Sequence, residues 1–269
     1  MRRFVILGHK APLDADFSLD DLPGAAGRLD VLCRALGASL FVSHGIRKEV
    51  ETVLVLRNEI QIRVVGATVK RLNPDERSTA ALIRRAIGSL SDAETESTPG
   101  IFVSRRTLPE VLDRLFQLEA NIVVLSEQGT PSDRFPFPRN PAFILSDHVD
   151  FTDEEESLLS DLPRVSLGDK PLHTSHCITI VHHLLDRREE TSNQDLVLCH
   201  IVTGEPKARL ISSLLEDFDI PVNLVSHVPP GILPVTFDGL ADVRIRVRPQ
   251  DLGKARQIIR DYFEEPIDD

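Results

Sequence analysis

From residue 100 onward the chain alternates short apolar β-type runs with amphipathic helical runs. This beat restricts it to a mostly parallel sheet with helices on both faces. Ile101–Val103, Asn121–Leu125, Ala142–Leu145 and Val165–Leu167 read as strands; Leu108–Leu118, Thr152–Leu159 and Leu172–Arg187 read as helices. Thr152 is a natural N-cap, with acids filling the turn that follows. Such short runs, apolar at nearly every position, belong to strands buried on both sides. Ligands of sheets of this kind sit at the carboxyl ends of the strands.

The first hundred residues follow the same rule less regularly. Arg3–Gly8, Ser39–Ser43, Thr52–Arg57 and Gln61–Val65 read as strands, and Leu29–Leu36 has helical spacing after a turn at Pro23–Gly24. Pro74 opens a predicted helix that runs to Ile87, with Asn73 as its N-cap. Ser89–Pro99 reads as a polar surface loop. The wholly polar stretch Asp186–Asp195 reads as a linker. Beyond it lie strand Leu196–Val202, helix Pro206–Phe218, strands Val222–Val225 and Val243–Val247, and helix Asp251–Phe263, an α+β set able to hold a small core of its own. The expected division is a domain over 1–188 and an accessory domain over 195–266.

No apolar run approaches the roughly 20 residues that cross a bilayer, and the apolar stretch after Arg2-Arg3 is too short for a secretory signal. Three cysteines without a CxxC argue against a disulfide framework, so a cytoplasmic location is expected. The net charge of −11 is uneven: residues 1–110 hold 16 basic and 14 acidic side chains, residues 111–269 hold 15 and 28. A polyanion would favour the amino-terminal part. Trp is absent and Tyr occurs once, so no aromatic platform for stacking RNA bases is visible.

No Walker motif, GxGxxG or GxSxG is present. His173, His176, His182 and His183 cluster with Cys177, but without HExxH or a second nearby Cys, so capping, packing or ligand-lining roles are expected rather than a metal. In Val165–His173 a strand ends, Gly168 lets a ligand approach the backbone, and a helix begins; an ordinary β–α turn has the same pattern. Arg77, in the first turn of its helix, opposes the helix dipole and needs Asp75, Glu76 or an external anion. Arg28 and Asp30 form either a plain salt bridge or a pair whose acid aims the guanidinium. Arg105-Arg106 ends a strand where ligands often sit, or is a solvated pair.

In order along the chain come Gly8-His9-Lys10-Ala11-Pro12, Phe17–Gly24, Gly27-Arg28-Leu29-Asp30 and Leu40–Arg47. Leu72–Thr79, Val103–Arg106, Ser166-Leu167-Gly168 and His176–Thr179 follow. Together they resemble the archaeal TrmY family of tRNA pseudouridine N1-methyltransferases and its bacterial homologues, over about residues 1–186. The resemblance implies the SPOUT methyltransferase fold with a deep carboxyl-terminal trefoil knot. It also implies a homodimer and S-adenosylmethionine as methyl donor. The product in characterised archaeal members is N1-methylpseudouridine in the tRNA T loop. Partners other than RNA, such as DNA or a membrane, are not implied.

Residue by residue, the resemblance places the donor on Leu125, Ser146, Leu167, Gly168, Leu172 and Cys177. Where the family has Gly-Asp-His this chain has Ser146-Asp147-His148, and Pro171 stands where an aromatic is usual. Related ribosomal pseudouridine methyltransferases use Arg-x-Asp and Asn-Pro-x-x-Arg patterns for RNA, which assigns Arg28, oriented by Asp30, and Arg77 to RNA phosphates; Arg105 joins these RNA-binding candidates. Asp20 and Asp21 are the candidates for proton acceptor or base-positioning group, with loop anchoring as the alternative. Methylating nitrogen requires no covalent enzyme adduct, so Cys177 is expected to pack against the donor. The tail resembles a small bacterial domain described as signal-transducing, with a ferredoxin-like α+β layout, and the extension implies a bacterial source. Two other readings stand beside this one: a SPOUT-fold RNA-binding or regulatory protein without catalysis, and a methyltransferase acting on rRNA.

Overall fold

The computed structural model describes residues 1–194, 196–226 and 242–263. These fall into two compact units, Met1–Leu185 and Asp186–Asp269. In the first, strand β1 (Arg2–Gly8) leads into helix α1 (Leu29–Leu40), a small hairpin β2 (Phe41–Val42) and β3 (Gly45–Ile46), and the strands β4 (Val50–Leu56) and β5 (Ile60–Val65). Helix α2 (Glu76–Gly88), β6 (Thr95–Thr98), β7 (Ile101–Arg105), α3 (Leu108–Gln117), β8 (Asn121–Pro131) and β9 (Pro141–Ser146) follow. Helix α4 (Asp153–Leu158), β10 (Arg164–Ser166) and α5 (Thr174–Gln194), whose residues up to Leu185 belong to this unit, complete the series.

The sheet order is β10-β8-β9-β1-β4-β5-β7-β6. The five strands from β10 to β4 are mutually parallel, and β5, β7 and β6 continue the sheet antiparallel. β1 and β4 are buried at every position, as strands covered on both faces must be. One core layer packs Phe4, Ile6, Leu54 and Phe143 against α1, α2 and α5; the other packs Val5, Leu7, Val53 and Ile144 against α3 and Leu159 after α4. The alternation of neighbouring residues between these layers is the period-two geometry of a strand.

β8 and β10 approach unusually closely. A Cβ on Gly129 would lie 2.6 Å from the backbone N and C of Val165. Only a glycine fits there, and the β8–β10 register shifts between Arg164 and Val165 at the same place. The chain therefore runs past β8 at backbone contact before it turns into the segment 167–173.

Several local expectations are revised. Ser39 belongs to α1, where its hydroxyl donates to the Leu36 carbonyl and bonds Thr52 Oγ1. The α2 N-cap is Asp75, whose carboxylate accepts from Ser78 N at 2.7 Å; Asn73 lies two residues outside. The 89–99 stretch contains β6 at the sheet edge. The polar stretch read as a linker continues α5 as far as Gln194, since Arg, Glu and Gln are good helix formers.

The second unit forms a three-stranded antiparallel sheet, β11 (Val197–Thr203), β13 (Asp242–Val247) and β12 (Asn223–Ser226), in the order β11-β13-β12. Helices α6 (Glu205–Asp217) and α7 (Leu252–Phe263) supply Ala208, Ile211, Leu215, Ala255, Ile258 and Ile259 to a core with Val243, Ile245 and Val247.

Candidate functional site

The carboxyl ends of β1, β4, β8, β9 and β10 share one edge of the parallel sheet; the segments leaving β1 and β10 carry Asp20, Asp21, Arg28, Leu167, Gly168 and Leu172, while Arg77 lies on α2 and Arg105 ends β7. At the β8–β10 end, Leu125, Ser126, Glu127, Val165, Leu167, Gly168, Lys170, Leu172 and Cys177 line a pocket of about 50 Å³. Five of the six predicted donor contacts thus converge. Gly168 has φ 139°, and a Cβ there would meet nothing within 4 Å, so the backbone itself faces open space. Leu125 and Leu167 offer an apolar wall beside the Gly168 backbone, whose N–H donates to Ser166 Oγ at 3.3 Å; an apolar wall suits an adenine ring. The volume is well below the roughly 300 Å³ of a small-molecule site. Leu172 lines the outer side of the pocket, 38% exposed.

Ser146 stands apart from this lining. Its hydroxyl donates to the Val149 carbonyl, and its own carbonyl accepts from Thr174 Oγ1 at 2.7 Å. The added hydroxymethyl is thus turned into its own loop and does not fill the pocket. Burial pushes the Cys177 thiol up to about 11, with the Glu127 charge adding to it, so the sulfur is protonated and poorly nucleophilic near neutral pH.

A neighbouring cluster was not anticipated as a site. His9, just past β1, donates its backbone N–H to Asp147 Oδ2 at 3.0 Å. Its ring nitrogens bond Asp147 Oδ1 at 3.0 Å and Glu155 Oε2 at 2.9 Å. Both ring nitrogens face carboxylates, so both must donate, and the ring is an imidazolium. The hydrogen bond to Asp147 raises its pKa to about 9 against the opposing effect of burial, with Glu155 contributing further. Asp147 is held below the usual carboxylate range: burial pushes it up, but hydrogen bonds from His9 and the Val149 amide outweigh that cost. The cluster ties β1, the loop after β9 and the first turn of α4 together. Thr174 Oγ1, reaching the carbonyls of Ser146 and Asp147, extends the tie to α5. His9 and Asp147 appear in the quoted motifs, but residues 138 apart give no sequence signal of contact.

The arginine side of the edge is equally organised. Arg28 caps α1 in the left-handed region at φ 62°, and its Nε and Nη2 reach Asp30 Oδ1 and Oδ2 at 3.0 and 3.2 Å. Asp30 is buried and also accepts from Arg34 at 2.8 Å. Its carboxyl lies below the ordinary range: desolvation pushes it up, but bonds from Arg28 and Arg34 prevail. Arg28 is held above its usual value by the Asp30 hydrogen bond and charge, with a smaller pull from Asp147. The acid fixes the guanidinium plane while leaving it half-exposed, which suits an external anion. Arg77 pairs with Asp20, both exposed. Asp21 anchors its own turn, accepting from Gly24 N at 2.9 Å and Ala25 N at 3.0 Å. Arg105 ends β7, exposed and without an ion pair among the described residues.

The histidine-rich segment divides. His182 is a core residue, its Nε2 donating to the Ser39 carbonyl at 3.0 Å and its ring edge-on to Phe4. His173 and His176 meet edge-on at 5.3 Å on the surface. Among the described residues, no three His, Cys, Asp or Glu side chains are placed to hold a metal ion. No described helix is long and apolar enough to cross a membrane.

Comparisons with known proteins agree with this layout. Residues 1–190 match a family described as "Putative SAM-dependent RNA methyltransferase". The chain is 48% identical over 192 residues to a tRNA (pseudouridine(54)-N(1))-methyltransferase of Haloarcula marismortui, covering 69% of this chain and 96% of that protein. It is 42% identical over 196 residues to the Methanocella arvoryzae protein of the same name, covering 70% of this chain and all of that one. Among solved structures, Archaeoglobus fulgidus Nep1 bound to S-adenosylhomocysteine superposes with a TM-score of 0.51 at 16% identity, over 70% of this chain and 99% of that one, a likeness of fold. With that sheet, that pocket and these relatives, the chain belongs to the SAM-dependent RNA methyltransferase family that includes the archaeal tRNA (pseudouridine(54)-N(1))-methyltransferases.

Proposed function

We propose that this protein methylates ring N1 of pseudouridine in tRNA, at position 54, with S-adenosylmethionine as donor. The observation that carries this reading is the convergence of Leu125, Leu167, Gly168, Leu172 and Cys177 on one pocket, at the sheet edge that also presents Arg28 and Arg77. The donor, when bound, supplies an electrophilic methyl on a positive sulfonium. The backbone of 125–127 and 167–168 would hold it, and the 146–149 loop would be kept in place from behind by the His9–Asp147 pair.

Pseudouridine joins its sugar through carbon, so N1 carries a hydrogen and a delocalised lone pair. It attacks a methyl group poorly until that proton leaves. The chain must therefore align N1 with the methyl carbon and accept a proton. Asp20 is the favoured acceptor: it is exposed and its partner Arg77 is available to an RNA phosphate, so RNA binding would free the carboxylate. Asp21, occupied by two backbone amides, is assigned to shaping the loop. Asp20→Asn is expected to lower the single-turnover rate about 100-fold with donor affinity unchanged. Asp21→Asn acts through loop disorder and is expected to raise the tRNA concentration needed. Equal rates for wild type and Asp20→Asn would remove Asp20 from proton transfer.

Arg28→Ala and Arg77→Ala are each expected to weaken tRNA binding about tenfold while calorimetry with the donor is unaltered. Titrations that superimpose on wild type would refute the phosphate assignment. In this reading the strand–loop passage at Gly129 is part of a trefoil knot, the enzyme is a cytoplasmic homodimer, and the second unit is a ferredoxin-like accessory domain over 195–266 appended to a catalytic domain over 1–188.

The decisive assay supplies donor and a tRNA transcript bearing pseudouridine 54, followed by nucleoside mass spectrometry. N1-methylpseudouridine is expected. Modification only of an rRNA fragment would move the substrate. Failure of the donor to bind would support a non-catalytic RNA-binding protein, the reading favoured by the narrowness of the pocket.

A further inference from the structure

Among the described residues, the sheet of the second unit has one face covered by α6 and α7 and one open face, and the open face is chemically sorted. In antiparallel pairs, directly opposed side chains lie on the same side. The register therefore sets Arg244 between Ile201 and Val225, and Arg246 between Leu198 and Asn223. The intervening Val243, Ile245 and Val247 point into the core. Leu198 is 40% and Ile201 47% exposed, high values for aliphatic strand residues. Neither Arg244 nor Arg246 makes an ion pair among the described residues. Arg248, which continues the alternation in sequence, is neutralised by Asp251 at 2.7 Å and lies outside the patch. The acid on these three strands is Asp242, at one end, accepting a hydrogen bond from Thr203. The other described acids of the unit lie on the helices, their caps or Asp219.

We infer that this open face is a second RNA contact, on which Arg244 and Arg246 bind backbone phosphates while Leu198 and Ile201 flank the sugar–base path. The inference rests on the tRNA-methyltransferase reading above. A cationic pair that makes no ion pair among the described residues invites a polyanion, and a protein partner would need matching acids around aliphatic sockets. Guanidinium planes held on a β-sheet also offer stacking surfaces for unpaired bases, a role usually taken by aromatics that this face lacks. The two arginines add charge-driven affinity rather than sequence preference.

The test uses the full chain with whole tRNA. Arg244→Glu/Arg246→Glu is expected to weaken binding at least tenfold and to flatten the dependence of log affinity on log salt by about 1.5. Arg244→Lys/Arg246→Lys should retain most of the affinity, which separates charge from folding. Arg209→Glu, on exposed α6 where Arg209 pairs with Glu205, is the control for charge alone and should bind like wild type. Donor calorimetry is expected to be identical in all four proteins, since the donor pocket lies in the first unit. If the Glu double variant and Arg209→Glu give superimposable tRNA titrations, the inference is overturned. It is also overturned if the Glu double variant binds tRNA normally but loses a protein partner or changes oligomeric state. Wild-type protein that binds the donor but neither binds nor methylates tRNA would instead sink the underlying reading.

Discussion

Asp147→Ala should destabilise the first unit by about 3–5 kcal/mol, the cost typical of stripping one partner from a buried ion pair. The carboxylate is 2% exposed, and it satisfies the His9 backbone, the His9 ring and the Val149 amide together. Its removal leaves an imidazolium in a half-buried position with Glu155 alone. The loop that Thr174 grips would loosen with it, so donor affinity should fall in parallel. Urea unfolding followed by donor calorimetry measures both; a loss below about 1 kcal/mol would mean that the His9 charge is solvated.

The same cluster fixes the direction of a pH effect. The folded-state pKa of His9 is raised from 6.5 to about 9, so its contribution is complete below 6.5 and disappears as pH rises through 9. The shift corresponds to about 3 kcal/mol. Asp147, shifted downward, contributes above its ordinary value and loses that contribution as acid protonates the folded form. Stability from the pair should therefore be greatest between the carboxylate range and 6.5. His9→Gln should abolish the alkaline decline while lowering stability at pH 6.5.

Gly129→Ala is expected to be as damaging, for a steric reason. The new methyl would sit 2.6–2.7 Å from three backbone atoms of Arg164 and Val165, where ordinary contact needs about 3.4 Å or more. Backbone cannot rotate aside as a side chain can, so β10 must shift from β8 by most of an ångström. The cost is about 3 kcal/mol or more. Because Leu125–Glu127 and Leu167–Gly168 lie on the two displaced segments, the donor pocket would be reshaped, and affinity for S-adenosylmethionine should fall more than 100-fold. Gly253→Ala, where an added Cβ meets nothing, is the matched control and should be silent.

The parallel part of the fold was readable because buried strands advertise themselves as apolar runs, and β1, β4, β8 and β9 all do. The antiparallel edge strand β6 was not, since Thr95–Thr98 is polar and its pairing is decided by Ile101–Val103 opposite. Helix length failed for α5, whose last two turns have a wholly polar sequence with no apolar periodicity to mark them as helix. That Leu125, Leu167, Gly168, Leu172 and Cys177 line one pocket could be anticipated only through motif likeness, since they come from three separate elements. The His9–Asp147–Glu155 cluster lay outside any local pattern: its members come from three elements, and only the parallel register of β1 with β9 sets the first two side by side.

The protonated thiols have a practical corollary. Burial raises Cys33, Cys177 and Cys199 above the ordinary range, foremost by desolvation. At pH 7 a thiol pushed up to about 11, as Cys177 is, stays almost wholly protonated. Alkylation of Cys177 by a thiol-directed electrophile at pH 7 should therefore be slower than that of a free cysteine, which mass spectrometry of the labelled protein measures.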